Sequence, residues 1–299
     1  MKLLITHNGQ FHADDVLAYT ILNIIYPKNK LVRTRDETII KTGNIVFDVG
    51  GQYNVKKHLF DHHQKDCHTV FDNNNTVPLS SAGMIYKKYG QRLVKKIVDS
   101  DSIQLFNDFY TKFILQFDAL DNGISNYEYP QKYQLTSLTT IINMANNSDV
   151  YDDDEQHKRF INCSKILHDI MLIVLNNINI KINSKSSDYD KMEKYMESRE
   201  NPCIVVVKED IVTWLDCIKE YEKTNSKKVK FIVYPSNEEW RVKSIFNRHN
   251  LKTQEELSTL MSNPQDIIFV HKKQFIGSCK TIKSAIEMAE YSLTNSVFD

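Results

Sequence analysis

Several things are scarce in this chain of 299 residues, and each scarcity closes off a class of protein. No apolar run approaches the length that spans a bilayer, which argues against a transmembrane helix. The N-terminus turns polar at His7 before a secretory apolar stretch and small-residue cleavage site can form, so a cytoplasmic location is expected. The five cysteines, Cys67, Cys163, Cys203, Cys217 and Cys279, are scattered and contain no CxxC pair. That pattern gives neither a disulfide framework nor a structural zinc site. A charge excess is also missing, since 38 basic residues meet 38 acidic ones. A protein that coats nucleic acid nonspecifically carries a basic surplus, so any polynucleotide handled here must enter a local groove. There is no internal repeat, no HExxH helix and no nucleophile elbow, which puts peptide hydrolysis last among the hydrolytic chemistries.

What is present is organised. The length favours two domains, and the boundary is expected near 184, giving 1–184 and 185–299. Residues 2–6 read as a buried strand. From Ala13 the apolar positions Val16, Leu17, Ile21, Ile24 and Ile25 recur at helical spacing and stop near Pro27. Leu31–Thr34, Asn44–Asp48 and His58–Asp61 read as further strands, and Ser80–Tyr89 and Ile103–Leu120 as helices. Strand alternating with helix predicts an α/β fold with a mostly parallel sheet flanked by helices. A mainly helical stretch runs from Leu135 to Met196, with a solvated loop or helix start at Asp152–Glu155. Asn183–Asp188 is the expected linker by composition. Strands near 204–207, 231–234, 240–245 and 267–271 and a helix from about Lys280 complete a smaller α/β domain.

Six of the ten histidines fall within the first 68 residues. His7 follows the first strand, His12 and Asp14 lead into the first helix, Asp48 ends the third strand, and Asp61, His62 and His63 end the fourth. Sites in open parallel sheets form beyond the carboxyl ends of strands, so three strands converge imidazoles and carboxylates on one edge. Each residue also has an ordinary explanation. Asp14 and Asp15 suit the first turn of a helix, and Asp48 before Gly50-Gly51 suits a turn. Together they match the mixed ligand set that Mn²⁺-type ions take. A pair of such ions suits in-line displacement at phosphorus, with Asp48 as the carboxylate between them.

The ordered motifs His7-Asn8-Gly9-Gln10-Phe11-His12-Ala13-Asp14-Asp15, Phe47-Asp48-Val49-Gly50-Gly51, Phe60-Asp61-His62-His63-Gln64 and Asp118-Ala119-Leu120-Asp121-Asn122-Gly123 resemble those of the MYG1 family, within the DHH phosphoesterase superfamily. Trp240-Arg241-Val242, Ile268-Phe269-Val270-His271, Phe275-Ile276-Gly277 and Lys280-Thr281 resemble its C-terminal signature. The resemblance implies His7, His12 and Asp48 around one metal. It implies Asp14, Asp48, His62 and one of Asp118 and Asp121 around the other, with Asp118 favoured. It further implies His63 beside the scissile phosphate, Asp61 orienting His62, and Asp15 either supporting the site or starting the helix. The second domain is expected to close over the substrate, with Arg241, His271 and Lys280 as phosphate contacts. Ser278-Cys279 depart from the family, which more often has another glycine and then a polar residue there. The helical insertion at Asn146–Asn162 matches no motif.

The expected function is a two-metal phosphodiesterase using Mn²⁺ or Mg²⁺, a 3′–5′ exonuclease on RNA or single-stranded nucleic acid. Two alternatives stand beside it. One is a phosphoesterase or pyrophosphatase on short oligonucleotides or small nucleotides, and the other is a metal-stabilised binding protein without catalysis.

Overall fold

The computed structural model describes residues 1–65, 67–124, 136–146, 152–226 and 228–294. The chain divides into two compact units, Met1–Ile180 and Lys181–Asp299. In the first, β1 (Lys2–Thr6), α1 (Ala13–Ile25), β2 (Asn29–Arg33), α2 (Glu37–Ile40), β3 (Ile45–Phe47), β4 (Tyr53–Asn54) and β5 (Leu59–Phe60) precede α3 (Ser81–Val98). The five strands form one sheet in the order β2-β1-β3-β5-β4. The β1–β2, β1–β3 and β3–β5 pairs are parallel and only β4 runs antiparallel, at the edge. All of β1, β3 and β5 therefore point their carboxyl ends the same way. The sequence already specifies the strands that matter, because Leu4, Ile5, Val46 and Phe47 are fully or nearly fully buried in short apolar runs. The two-residue β4 lacks any such run and was not legible.

A continuous helical segment follows as α4 (Ile103–Phe109), a π-helical turn (Tyr110–Ile114) and α5 (Leu115–Asp121). Then come α6 (Leu138–Met144) and the 45-residue α7 (Asp153–Glu197). Leu135, the expected start of the helical stretch, and 147–151, part of the 146–162 insertion, lie outside the described residues. Asp152 accepts from the backbone N–H groups of Asp154 and Glu155, so the acidic stretch starts a helix.

The expected linker Asn183–Asp188 is instead helical, inside α7. Its polar residues are only mildly unfavourable to helix, and tertiary contacts outweigh that penalty. Asp188 is buried and accepts from the N–H and hydroxyl of Thr213, and Met192 and Met196 pack into a core. The division between units falls within this helix.

The second unit adds β6 (Ile204–Val206), α8 (Trp214–Thr224), β7 (Phe231–Ser236), β8 (Glu239–Ser244), α9 (Gln254–Leu260), β9 (Ile267–Val270), β10 (Ile276–Cys279) and α10 (Ile282–Leu293). Its sheet order is β6-β7-β8-β10-β9, parallel only between β6 and β7. The sheet has a core on each face. Alternation in β6 sends Val205 to one face and Ile204 to the other.

Candidate metal centre

Each of β1, β3 and β5 is followed by a ligand-type residue held by its own local structure. His7 follows β1 and is 2% exposed. Its Nδ1–H donates to the carbonyl of Asn8 at 3.0 Å, which leaves Nε2 facing Asp15 Oδ2 at 3.1 Å and Asp48 Oδ2 at 3.2 Å. A hydrogen bond to the far nitrogen is what fixes the ring of a ligating histidine. Asp48 follows β3 with φ of 54°, a left-handed conformation that aspartate tolerates better than most residues. That turn carries its carboxylate among three imidazoles: His7, His62 (Oδ1 to Nε2, 3.5 Å) and His63 (Oδ1 to Nδ1, 3.7 Å). Ser81, in the first turn of α3, donates its hydroxyl to Asp48 Oδ1 at 2.9 Å.

Three overlapping groups result: His7, His12 and Asp48; Asp48, His62 and His63; and Asp14, His62 and Asp121. Within each, the ligand atoms lie within 4.8 Å of one another. Asp14 supplies the test of fit. It is 2% exposed, and neither of its carboxylate oxygens has a hydrogen-bond partner. A buried charge without partners is costly unless a cation compensates it. Burial and the charges of Asp48, Asp121 and Asp15 accordingly push the Asp14 carboxyl well above the usual range. Burial would likewise raise Asp48, but hydrogen bonds from His62 and His7 outweigh it and hold that carboxyl far below. His7 is lowered by burial and raised more strongly by Asp15 and Asp48, reaching about 10. Without cations His7 thus keeps a proton that balances Asp15 and Asp48, so metal uptake and proton release are linked. The mixed set of imidazole nitrogens and carboxylate oxygens suits a divalent metal ion.

The structure redistributes several expected roles. Asp121, not Asp118, joins the ligand group, with Oδ2 3.1 Å from His62 Nε2. Asp118 is wholly buried and saturated: Ser80 donates both N–H and hydroxyl to it, and the Tyr110 hydroxyl donates at 2.9 Å. Asp61 orients His63 rather than His62. Its Oδ1 meets His63 Nδ1 at 2.7 Å and accepts the His63 N–H, while Oδ2 accepts from Gly51 N at 2.6 Å. Asp15 lies with Oδ2 3.1 Å from His7 Nε2 and accepts the His12 N–H at the helix start. His63 has a 61% exposed side chain, whereas His62 is 13% exposed.

A cavity of about 470 Å³ opens on this cluster, lined by His12, Asp14, His62, His63 and Asp121 on one side and by Thr139, Thr140 and Asn143 of α6 on the other. Nothing in the sequence marked that α6 wall, nor Ser80 and Ser81, because single hydroxyls and amides carry no periodic signal.

Arg241, His271 and Lys280 lie in the second unit. Arg241, on β8, donates twice to Glu239 Oε1. His271 follows β9 and packs on Phe275, and exposed Lys280 follows β10, at the opposite end of the β9–β10 pair. The departure from the family at Ser278-Cys279 is absorbed locally. The Ser278 hydroxyl donates to Glu239 Oε2, and Cys279 is buried in the core. Gly277 is needed for space, since a Cβ there would meet Met288 Sδ at 2.8 Å.

A mostly parallel sheet whose strand ends deliver an imidazole–carboxylate cluster able to hold metal ions into an open cavity is the layout of a metal-dependent hydrolase. The chain belongs to the MYG1 family: the model described as "Uncharacterised protein family (UPF0160)" matches residues 3–293. It is 30% identical to a MYG1 protein of Dictyostelium discoideum, covering 97% of this chain and 96% of that protein. It is 26% identical to the MYG1 exonuclease of Homo sapiens, covering 96% of this chain and 85% of the relative. A solved structure of exonuclease RecJ bound to manganese aligns over 99% of this chain and 91% of its own, at 8% identity and a TM-score of 0.29, a likeness too loose to bear on the chemistry. Among the described residues no helix is long and apolar enough to cross a membrane.

Proposed function

We propose that the chain is a two-metal phosphodiesterase that removes nucleotides from the 3′ end of RNA or another single-stranded nucleic acid, with Mn²⁺ or Mg²⁺ as cofactor. The observation that carries this reading is Asp14, whose two buried and unpartnered carboxylate oxygens sit among ligand groups joined through Asp48 and His62. His7, His12 and Asp48 would hold one ion, and Asp14, Asp48, His62 and Asp121 the other. Bound there, the pair supplies an activated water and balances the charge that develops on the leaving oxygen.

The chain's own residues do the rest. Asp48 offers its two oxygens to different neighbours, Oδ2 toward His7 and Oδ1 toward His62, so it could serve both ligand groups. His63 is fixed through Nδ1 by Asp61, which leaves Nε2 as the nitrogen to meet the scissile phosphate. The Asp61 hydrogen bond outweighs desolvation and raises His63 above its ordinary value. A protonated His63 is therefore suited to hand a proton to the departing oxygen. The cavity has the volume of a single small ligand, and among the described residues no Lys or Arg lines it. That favours a chain end or a short oligonucleotide over a long duplex, whose phosphates need a basic track. Arg241, His271 and Lys280 are proposed to contact phosphates elsewhere on the substrate, with Lys280 and His271 meeting different ones.

The test is digestion of end-labelled single-stranded RNA and DNA with Mn²⁺, Mg²⁺ or EDTA, comparing wild type with His62→Ala and Asp48→Asn. Metal-dependent laddering from the 3′ end, lost in both variants, is expected. No cleavage of any length by the metal-loaded wild type would overturn the reading.

A further inference from the structure

The loop between His7 and His12 carries two candidate ligands, yet its backbone has little regular structure of its own. It is held from outside. Arg33 donates to the Gly9 carbonyl at 2.8 Å and lies over the Phe11 ring. The tightest tie is Asn146, just past α6. Its Nδ2 donates to the Phe11 carbonyl at 2.6 Å while its Oδ1 accepts the Phe11 N–H at 2.8 Å. The side-chain amide thus pairs with the backbone as a neighbouring β-strand would, across 135 positions of sequence.

The carbonyl that Asn146 holds belongs to the peptide joining Phe11 to His12. On the other side, the His12 N–H is held by Asp15 at 3.0 Å. His12 itself is exposed, in contrast to buried His7. The His12 ring meets that of His7 at 5.8 Å, and the peptide that carries it is fixed on both edges, by Asn146 and by Asp15. The ion in the His7–His12–Asp48 group depends on the direction of the His12 ring. The Asp14–His62–Asp121 group draws its residues from α1, the end of β5 and α5, whereas the hydrogen bonds of the Asn146 side chain among the described residues go to Phe11 and Asn143.

We infer that Asn146 is a positioning residue for the metal centre: it clamps the Phe11–His12 peptide and thereby sets the affinity of one of the two ions, not of both. The inference rests on the metal reading above. Partners that orient a ligand from behind are worth about tenfold to a hundredfold in metal affinity, so a loss in that range is expected at one site only. Polarity matters as well as shape. An amide presents one donor and one acceptor, whereas a carboxylate presents two acceptors. Asn146→Asp keeps the size but sets an oxygen against the Phe11 carbonyl, so it fails as Asn146→Ala does.

The experiment titrates the metal-free full-length protein with Mn²⁺ by calorimetry and with Co²⁺ by its visible spectrum, for wild type, Asn146→Ala and Asn146→Asp. Wild type is expected to take two ions. Both variants should keep one ion at wild-type affinity and bind the other about tenfold more weakly or worse, with the metal-free melting temperature shifted by only a few degrees. Activity lost at limiting Mn²⁺ should return with excess. Variants that match wild type for both ions, an Asn146→Asp protein that behaves as wild type, or equal weakening of both ions alongside a large fall in metal-free stability would each overturn the clamp. A wild type that binds no divalent ion would overturn the metal reading and the clamp with it.

Discussion

Asp14 shows how a single residue trades stability for chemistry. In the second position of α1 it would favour the helix dipole in any protein, and its sequence context alone did not separate that role from metal binding. Burial does. Both oxygens are sealed from solvent without partners, with Asp15, Asp48 and Asp121 raising the cost of ionisation. Leaving a buried polar group unsatisfied costs about 1–3 kcal/mol, more for a charge. Asp14→Asn cannot ionise and so escapes the cost of keeping this carboxyl protonated at neutral pH, and it is expected to melt higher than wild type without metal. It should also lose the part of the Mn²⁺ gain that comes from the Asp14–His62–Asp121 ion, about 2.7 kcal/mol for one site at a hundredfold excess over Kd, and keep the part from the other. Melting curves of the two proteins with EDTA and with Mn²⁺ decide the matter. A destabilised metal-free variant would mean that Asp14 has a protein partner instead.

At the scale of elements, the candidate site was legible wherever a ligand sits at the end of an apolar strand, and illegible where a helix surface decides. β1, β3 and β5 announce themselves as short apolar runs, and His7, Asp48 and His62 follow from them by the geometry of parallel sheets. Asp118 and Asp121, three residues apart on one helix, share a face, so spacing alone does not choose between them. The π-helical turn at Tyr110–Ile114 just upstream changes the register of that face, and no sequence signal marked it. The packing makes Asp118 a strut between α5 and the start of α3, where Ser80 caps the helix and Ser81 reaches Asp48. Gly83 is part of the fit, because a Cβ there would run into the Asp118 carboxylate. Burial outweighs the hydrogen bonds from Ser80 and Tyr110 and pushes the Asp118 carboxyl up from 3.8 to about 7. Between those values the folded state binds more protons than the unfolded one, so this group's contribution is complete at acid pH and is lost as pH rises toward 7. Asp118→Asn mimics the protonated form. Denaturation of both proteins at intervals from pH 4 to 8 should show wild type losing stability relative to the variant across that window. Parallel curves would place the Asp118 pKa near its ordinary value.

At the scale of the whole molecule, length argued for two domains and the chain divides into two compact units, while the polar stretch expected to separate them is helical. Polarity reports exposure, not backbone conformation, and α7 keeps buried Leu167, Met171, Leu175 and Ile178 before that stretch and Met192 and Met196 after it. Every candidate ligand lies between His7 and Asp121, within the first unit. The second unit has two buried clusters of its own, one on each face of its sheet. Anything that binds only the native state stabilises what must stay folded to hold it, and local openings elsewhere are unaffected. Hydrogen exchange with EDTA and with Mn²⁺ should therefore show added protection at the carboxyl ends of β1, β3 and β5, in the first turns of α1 and α3 and through α5. Strands β6 to β10 should exchange at the same rate in both conditions. Protection that spreads equally through the second sheet would show that the two units open as one, and metal binding would then be a stabiliser of the whole chain and not of the first unit alone.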